Sequence, residues 1–99
     1  MRVRWTTAAE QDLACVLEYL AEEKPSAATT LLASIDRHIQ RIARFPESGR
    51  PIPEATPNAE EARQREVVLP PFRLGYAVVG KEIVILYLIH GARQFPPPR

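Results

Sequence analysis

Residues 72–90 read FRLGYAVVGKEIVILYLIH, and their reading decides the fold. Two runs rich in β-branched and aromatic residues, Arg73 to Val79 and Glu82 to Ile89, flank Gly80-Lys81. A two-residue link with glycine first suits the tight turn of a hairpin, where the backbone needs a positive φ. The second run is apolar without alternation, which predicts a central strand covered on both faces. It ends abruptly in His90, followed by Gly91, Ala92 and Arg93. Counted outward from the turn, the hairpin sets Arg73 across from Leu88, at the end of the sheet that also carries His90 and Arg93. Cross-strand neighbours lie about 5 Å apart, so Arg73, His90 and Arg93 are expected to cluster at one edge. Arg65, by the same count, falls near Ala77 toward the other end.

Working outward, Glu66 to Leu69 is another strand signal, closed by Pro70-Pro71. Before it, residues 46–62 (PESGRPIPEATPNAEEA) hold four prolines and one glycine, and read as a long loop. Further upstream, Ala28, Leu31, Leu32, Ile35, Ile39 and Ile42 recur at helical spacing, with Pro25 suited to the first turn and Phe45-Pro46 to the stop. A first helix carries Ala9, Leu13, Val16, Leu17 and Leu20 on one face and ends near Glu23. Thr7 and Glu10 have capping-box spacing at its start. The gap between the helices is one or two residues, so they pack antiparallel as a hairpin. With a short β-like start over residues 2–5, the order is β-α-α-β-β-β. The fold class is α+β, two helices on one face of a small, mostly antiparallel sheet. Residues 1–99 read as one domain with a terminal tail at 95–99.

The 99 residues suit a single domain with a thin core, and 45% hydrophobic with 25% charged content is ordinary for a globular protein. The longest apolar run is far short of the ~20 residues a membrane-spanning helix needs. The N-terminus lacks the apolar stretch of a secretory signal. The single cysteine, Cys15, excludes an internal disulfide and fits a reducing, cytoplasmic setting. A net charge of +1 gives no reason to expect nonspecific nucleic-acid binding. The distribution is uneven. Residues 1–62 hold seven Lys/Arg and ten Asp/Glu, whereas residues 63–99 hold six and two. A polyanion or an acidic protein segment would prefer the C-terminal third.

Arginines grouped with a histidine can clamp phosphates, stabilise charge in phosphoryl transfer, or bind acidic side chains. They can equally be solvated strand ends. Other chemistries lack residues. His38, His90 and Cys15 do not make a four-ligand zinc site, and no glycine-rich phosphate loop occurs. Ser26, Ser34 and Ser48 have no nucleophile-elbow context. Glu18 and Glu22 read as a solvated helix face. No metal or cofactor is expected.

Taken together, WTTAAEQDL, KPSAA, IARFPESGRP, PFRLGYAV and ILYLIHGAR resemble the RelE/ParE superfamily of type II toxin–antitoxin toxins, in the same order and over most of the chain. FPESGRP followed some forty residues later by a strand ending in HGAR is the most specific part. The resemblance implies a cytoplasmic toxin neutralised by a cognate antitoxin whose C-terminal segment wraps it. RelE-like members cut mRNA on the ribosome; ParE-like members poison DNA gyrase. Arg73 and Arg93 match arginines that the nucleases use at the phosphate. The match then fails. Glu66 and Val68 stand where those nucleases carry basic residues, and the tail QFPPPR lacks their catalytic tyrosine or histidine.

An attack by a 2′-hydroxyl needs a base, and arginine does not deprotonate in proteins. His90 is the one titratable candidate nearby. The HGAR end also matches ParE-like chains, so the resemblance favours a gyrase-directed toxin, with Arg73, His90, Arg93 and Arg65 as target-binding residues. The alternatives are a ribosome-dependent nuclease using Arg73, His90 and Arg93, and an inactive toxin fold that only binds an antitoxin.

Overall fold

A computed structural model describes residues 1–52 and 64–91. Its elements are β1 (Arg2–Trp5), α1 (Thr7–Glu23), α2 (Pro25–Arg44), β2 (Arg50–Pro51), β3 (Gln64–Leu69), β4 (Phe72–Val79) and β5 (Glu82–His90). The five strands lie in the order β1-β5-β4-β3-β2. All neighbours are antiparallel except β1, which runs parallel to β5. The expected α+β arrangement holds, with one addition. The Pro-rich stretch read as loop contains β2, where Arg50 pairs with Glu66 and Pro51 with Arg65. Two residues are too few to leave a strand signal, and proline is tolerated there because β2 is an edge. From residue 53 to 63 that stretch lies outside the described residues, as do Arg93 and the tail.

The start of α1 also differs in detail. The capping residue is Thr6, whose hydroxyl accepts from the Ala9 N–H at 3.1 Å. Thr6 is still extended, donating its own N–H to the Ile85 carbonyl at 3.1 Å. The helix therefore begins where β1 leaves the sheet, and Thr7 is already inside it. Both helices pack on one face, hereafter the first face, burying Ala9, Leu31, Ile35 and Ile42 against Leu69, Leu74, Tyr76, Ile83, Ile85 and Leu88. Each such aliphatic side chain contributes roughly 1.5–3 kcal/mol on burial. The second face carries a smaller cluster, Ile52, Tyr87 and Ile89.

Gly80 makes the hairpin turn at φ 61°. From there Val79 pairs with Glu82 and so on to Tyr76 with Ile85; then the register slips and Gly75 faces Tyr87. Leu86 is the extra residue of a β-bulge, which turns over every side chain that follows it. Arg73 thus pairs with Ile89, not Leu88, and Phe72 pairs with His90. The backbone around the bulge is bonded from α1. The Thr6 hydroxyl donates to the Leu86 carbonyl at 3.4 Å, and the Leu88 N–H donates to an Asp12 carboxylate oxygen at 3.0 Å. Gly75 is required because a Cβ there would overlap the Tyr87 ring.

Gly75→Ala is expected to cost roughly 1–3 kcal/mol, the usual range for overpacking, and to lose most of that cost in a Tyr87→Leu background. Gly80→Ala should cost about 1 kcal/mol for its positive φ in either background, because its Cβ meets nothing. Urea denaturation of the four-way set measures this. Additive costs for positions 75 and 87 would contradict the packing described.

Candidate functional site

Cross-strand partners share a face and successive residues alternate. Glu66 on β3, Arg73 on β4 and Arg50 on β2 therefore all belong to the second face. The bulge adds Tyr87 from β5, which in an unbulged ladder would face the helices. The Glu66 side chain is fully buried. One of its oxygens, Oε1, accepts from Arg50 Nε at 3.1 Å and Nη2 at 2.7 Å. The other, Oε2, accepts from Arg73 Nε at 2.7 Å and the Tyr87 hydroxyl at 3.0 Å. A buried carboxylate is tolerable only when charge and lone pairs are both met. Here four donors meet them.

The two arginines differ. The Arg73 side chain is 8% exposed and that of Arg50 48%. Arg73 is thus a buried member of the cluster, while Arg50 sits half in solvent at the sheet's edge. Taken alone, the cluster carries one net positive charge.

The segment that presents Arg50 is held from the first face. The Tyr76 hydroxyl donates to the Pro46 carbonyl at 2.7 Å and accepts from the Gly49 N–H at 2.9 Å. Gly49 has to lack a side chain, since a Cβ would lie 2.5 Å from that hydroxyl. Arg65 Nη1 donates to the Gly49 carbonyl at 2.9 Å. Burial pushes the Tyr76 hydroxyl above its ordinary pKa, against the opposing pull of the Gly49 N–H, Arg65 and Ser48. The phenol stays protonated as donor to Pro46 throughout the neutral range.

Of the cluster expected at one edge, Arg73 and His90 lie at the same end of the sheet but on opposite faces. Arg73 is on the second face, tied to Glu66. His90 is exposed, pairs with Phe72 and meets its ring edge-on at 6.0 Å between centroids. It belongs to the first face because the bulge has reversed it. Arg65 is also on the first face, toward the other end, and serves the Gly49 carbonyl. Arg93 lies outside the described residues. The residues that sequence reasoning missed are Arg50, Tyr87 and the role of Glu66. The one available signal was a glutamate opening an apolar strand, and it read only as a departure from the nuclease pattern.

His90 also lines a groove of about 1110 Å³ between the helices and the β3–β4 turn, together with Val16, Tyr19, Leu20, Leu31 and Phe72. Tyr19 is 64% exposed at this groove. The wall is mainly apolar. Among the described residues no helix is long and apolar enough to cross a membrane.

Comparison with known proteins gives a consistent result. The model of the family described as "ParE toxin of type II toxin-antitoxin system, parDE" matches residues 3–95. The Sinorhizobium fredii protein named "Putative toxin Y4kP" is 30% identical over 97 residues, covering 96% of this chain and 93% of its own. Toxin RelE2 of Caulobacter vibrioides is 30% identical over 92 residues, covering 93% and 97%. A chain in the solved chromosomal ParDE TA system from P. aeruginosa is 26% identical, with a TM-score of 0.68 over 91% of this chain and 95% of that one.

Removing one partner of a buried ion pair strands the other's charge and typically costs about 3–5 kcal/mol. Glu66→Ala is expected to fall in that range by urea denaturation. Glu66→Leu combined with Arg73→Leu should recover more than half of the loss, since the stranded charge goes too. A double variant as unstable as the summed singles would show that the two residues are not coupled.

Proposed function

The chain belongs to the ParE toxin family of type II toxin–antitoxin systems, and we propose that it acts by binding DNA gyrase and is neutralised by a cognate antitoxin. The observation that carries the gyrase reading over mRNA cleavage is the buried Glu66 cluster. RNA cleavage needs cations placed at the phosphate and a group that takes the 2′-hydroxyl proton. On the second face, Arg73 Nε is bonded to the Glu66 carboxylate, and the Tyr87 hydroxyl donates to the same group. Neither guanidinium can act as a base. His90, the imidazole nearest in sequence, stands on the opposite face from Arg73. A phosphate held by Arg73 would have the sheet between it and that imidazole. Of the four residues first picked to touch the target, Arg73 and Arg65 are bonded within the fold, His90 is exposed at the end of β5, and Arg93 lies outside the described residues.

For the antitoxin, the apolar groove beside His90 is the surface of the right kind. Its mainly apolar wall suits an amphipathic helix that presents apolar residues at helical spacing. The exposed Tyr19 is the natural contact at its mouth. Relatives named as toxins and a solved ParDE assembly support an antitoxin for this chain as well.

The test is brief induction in a bacterial host, with DNA and protein synthesis followed by separate pulse labels. DNA synthesis is expected to stop first, with a DNA-damage response, and His90→Gln should not restore intact transcripts because none are cut. An early stop in protein synthesis with codon-phased mRNA cuts that vanish in His90→Gln would replace this reading with the nuclease one. No effect on either synthesis would leave only an antitoxin-binding fold. In parallel, Tyr19→Asp is expected to weaken antitoxin binding at least tenfold in a titration while growth inhibition persists. Unchanged antitoxin affinity would move the antitoxin off the groove.

A further inference from the structure

The geometry points to Arg50 as the residue that engages an acidic side chain of the target protein, at the edge of the second face. This rests on the toxin reading only for the identity of the partner; the site stands on its own geometry.

A guanidinium presents its donors along separate edges. In Arg50 one edge, Nε with Nη2, is spent on a single oxygen of Glu66. Among the described residues Nη1 has no partner, and the side chain is about half exposed. The end of the fork, Nη1 with the second hydrogen of Nη2, is therefore free to meet a carboxylate with two parallel bonds. An arginine on a flexible surface loses considerable rotamer entropy on binding. Here that loss is already taken in the fold. Glu66 holds the head and β2 pairing holds the backbone. Tyr76 and Arg65 fix Gly49 just before it. The result is a preorganised cation at a sheet edge.

The cluster also selects the ligand. The one edge of the Arg50 fork that no described residue meets matches one carboxylate. A nucleic-acid strand is held by a row of cations along its phosphates. Among the described residues, the neighbouring guanidinium of Arg73 is buried, and that of Arg65 is committed to a carbonyl on the other face. Arg50 and the apolar groove are on opposite faces of the sheet, so an antitoxin helix in the groove and a target carboxylate on Arg50 would use separate surfaces.

The experiment is an NMR titration of the full chain, following arginine Nε signals, with a short poly-glutamate peptide and, separately, a single-stranded oligonucleotide. The Arg50 signal is expected to move with poly-glutamate, saturably and less at high salt, while the buried Arg73 signal stays. Arg50→Gln, which keeps a donor toward Glu66, should raise the half-maximal peptide concentration at least tenfold. Arg50→Lys should lie between, because it keeps the charge without the fork. In cells, Arg50→Gln should lose growth inhibition yet bind antitoxin within twofold of wild type.

Peptide binding that leaves Arg50 unmoved overturns the site. An oligonucleotide that moves Arg50 at lower concentration than the peptide overturns the ligand class. Loss of antitoxin binding with growth inhibition intact overturns the choice of partner. If the wild-type chain fails to inhibit growth, the toxin reading falls, and the peptide titration alone still decides whether Arg50 is a carboxylate site.

Discussion

Leu86 is one residue more than the β4–β5 ladder has room for, and the layout of the functional surfaces depends on how the chain absorbs it. Before the bulge, Ile83 and Ile85 face the helices. After it, the parity is reversed, so Tyr87 and Ile89 face away and Leu88 fills the core. This reversal brings the Tyr87 hydroxyl to Glu66 and sends His90 to the helix side. A slip of one residue exchanges the faces of a strand. The bulge is held by Thr6 and Asp12 from the start of α1, and by the absence of a Cβ at Gly75.

The consequence is a molecule with two differently built surfaces. The first face offers an apolar groove between the helical hairpin and the sheet. The second carries a buried charge cluster whose outlying member is Arg50. The Glu66 carboxylate acts as an internal anion for both guanidinia. The fold alone does not specify the activity, since one scaffold hosts unrelated functions. Which activity it carries depends on the residues placed on it.

Much of this architecture was legible in the sequence because it rests on local signals. Helical periodicity placed α1 and α2 to within a residue, and Gly80 placed the hairpin turn. The unbroken apolar run marked β5 as central, and it is flanked by β1 and β4. The site was less legible because its contacts are not local. The bulge depends on a steric fit between Gly75 and Tyr87 and on bonds from residues some eighty positions away. Arg50 and Glu66 meet through a two-residue strand that no propensity announces. Simple counting from the turn put Arg73, His90 and Arg93 together, and the slip in register separated the first two. Thr6 displaced Thr7 as the helix cap for a similar reason, because a tertiary bond to β5 set where the helix begins.

The most direct test of the central claim, that this member of the family binds gyrase and does not cut RNA, is made with purified components. The protein would be added to a gyrase supercoiling reaction and, in parallel, to ribosomes engaged on mRNA. The account expects supercoiling to be inhibited with accumulation of cleaved DNA, while the mRNA stays intact. Unaffected gyrase together with mRNA cut on the ribosome would contradict it, and would mean that the Glu66 cluster does not keep this scaffold from phosphoryl-transfer chemistry.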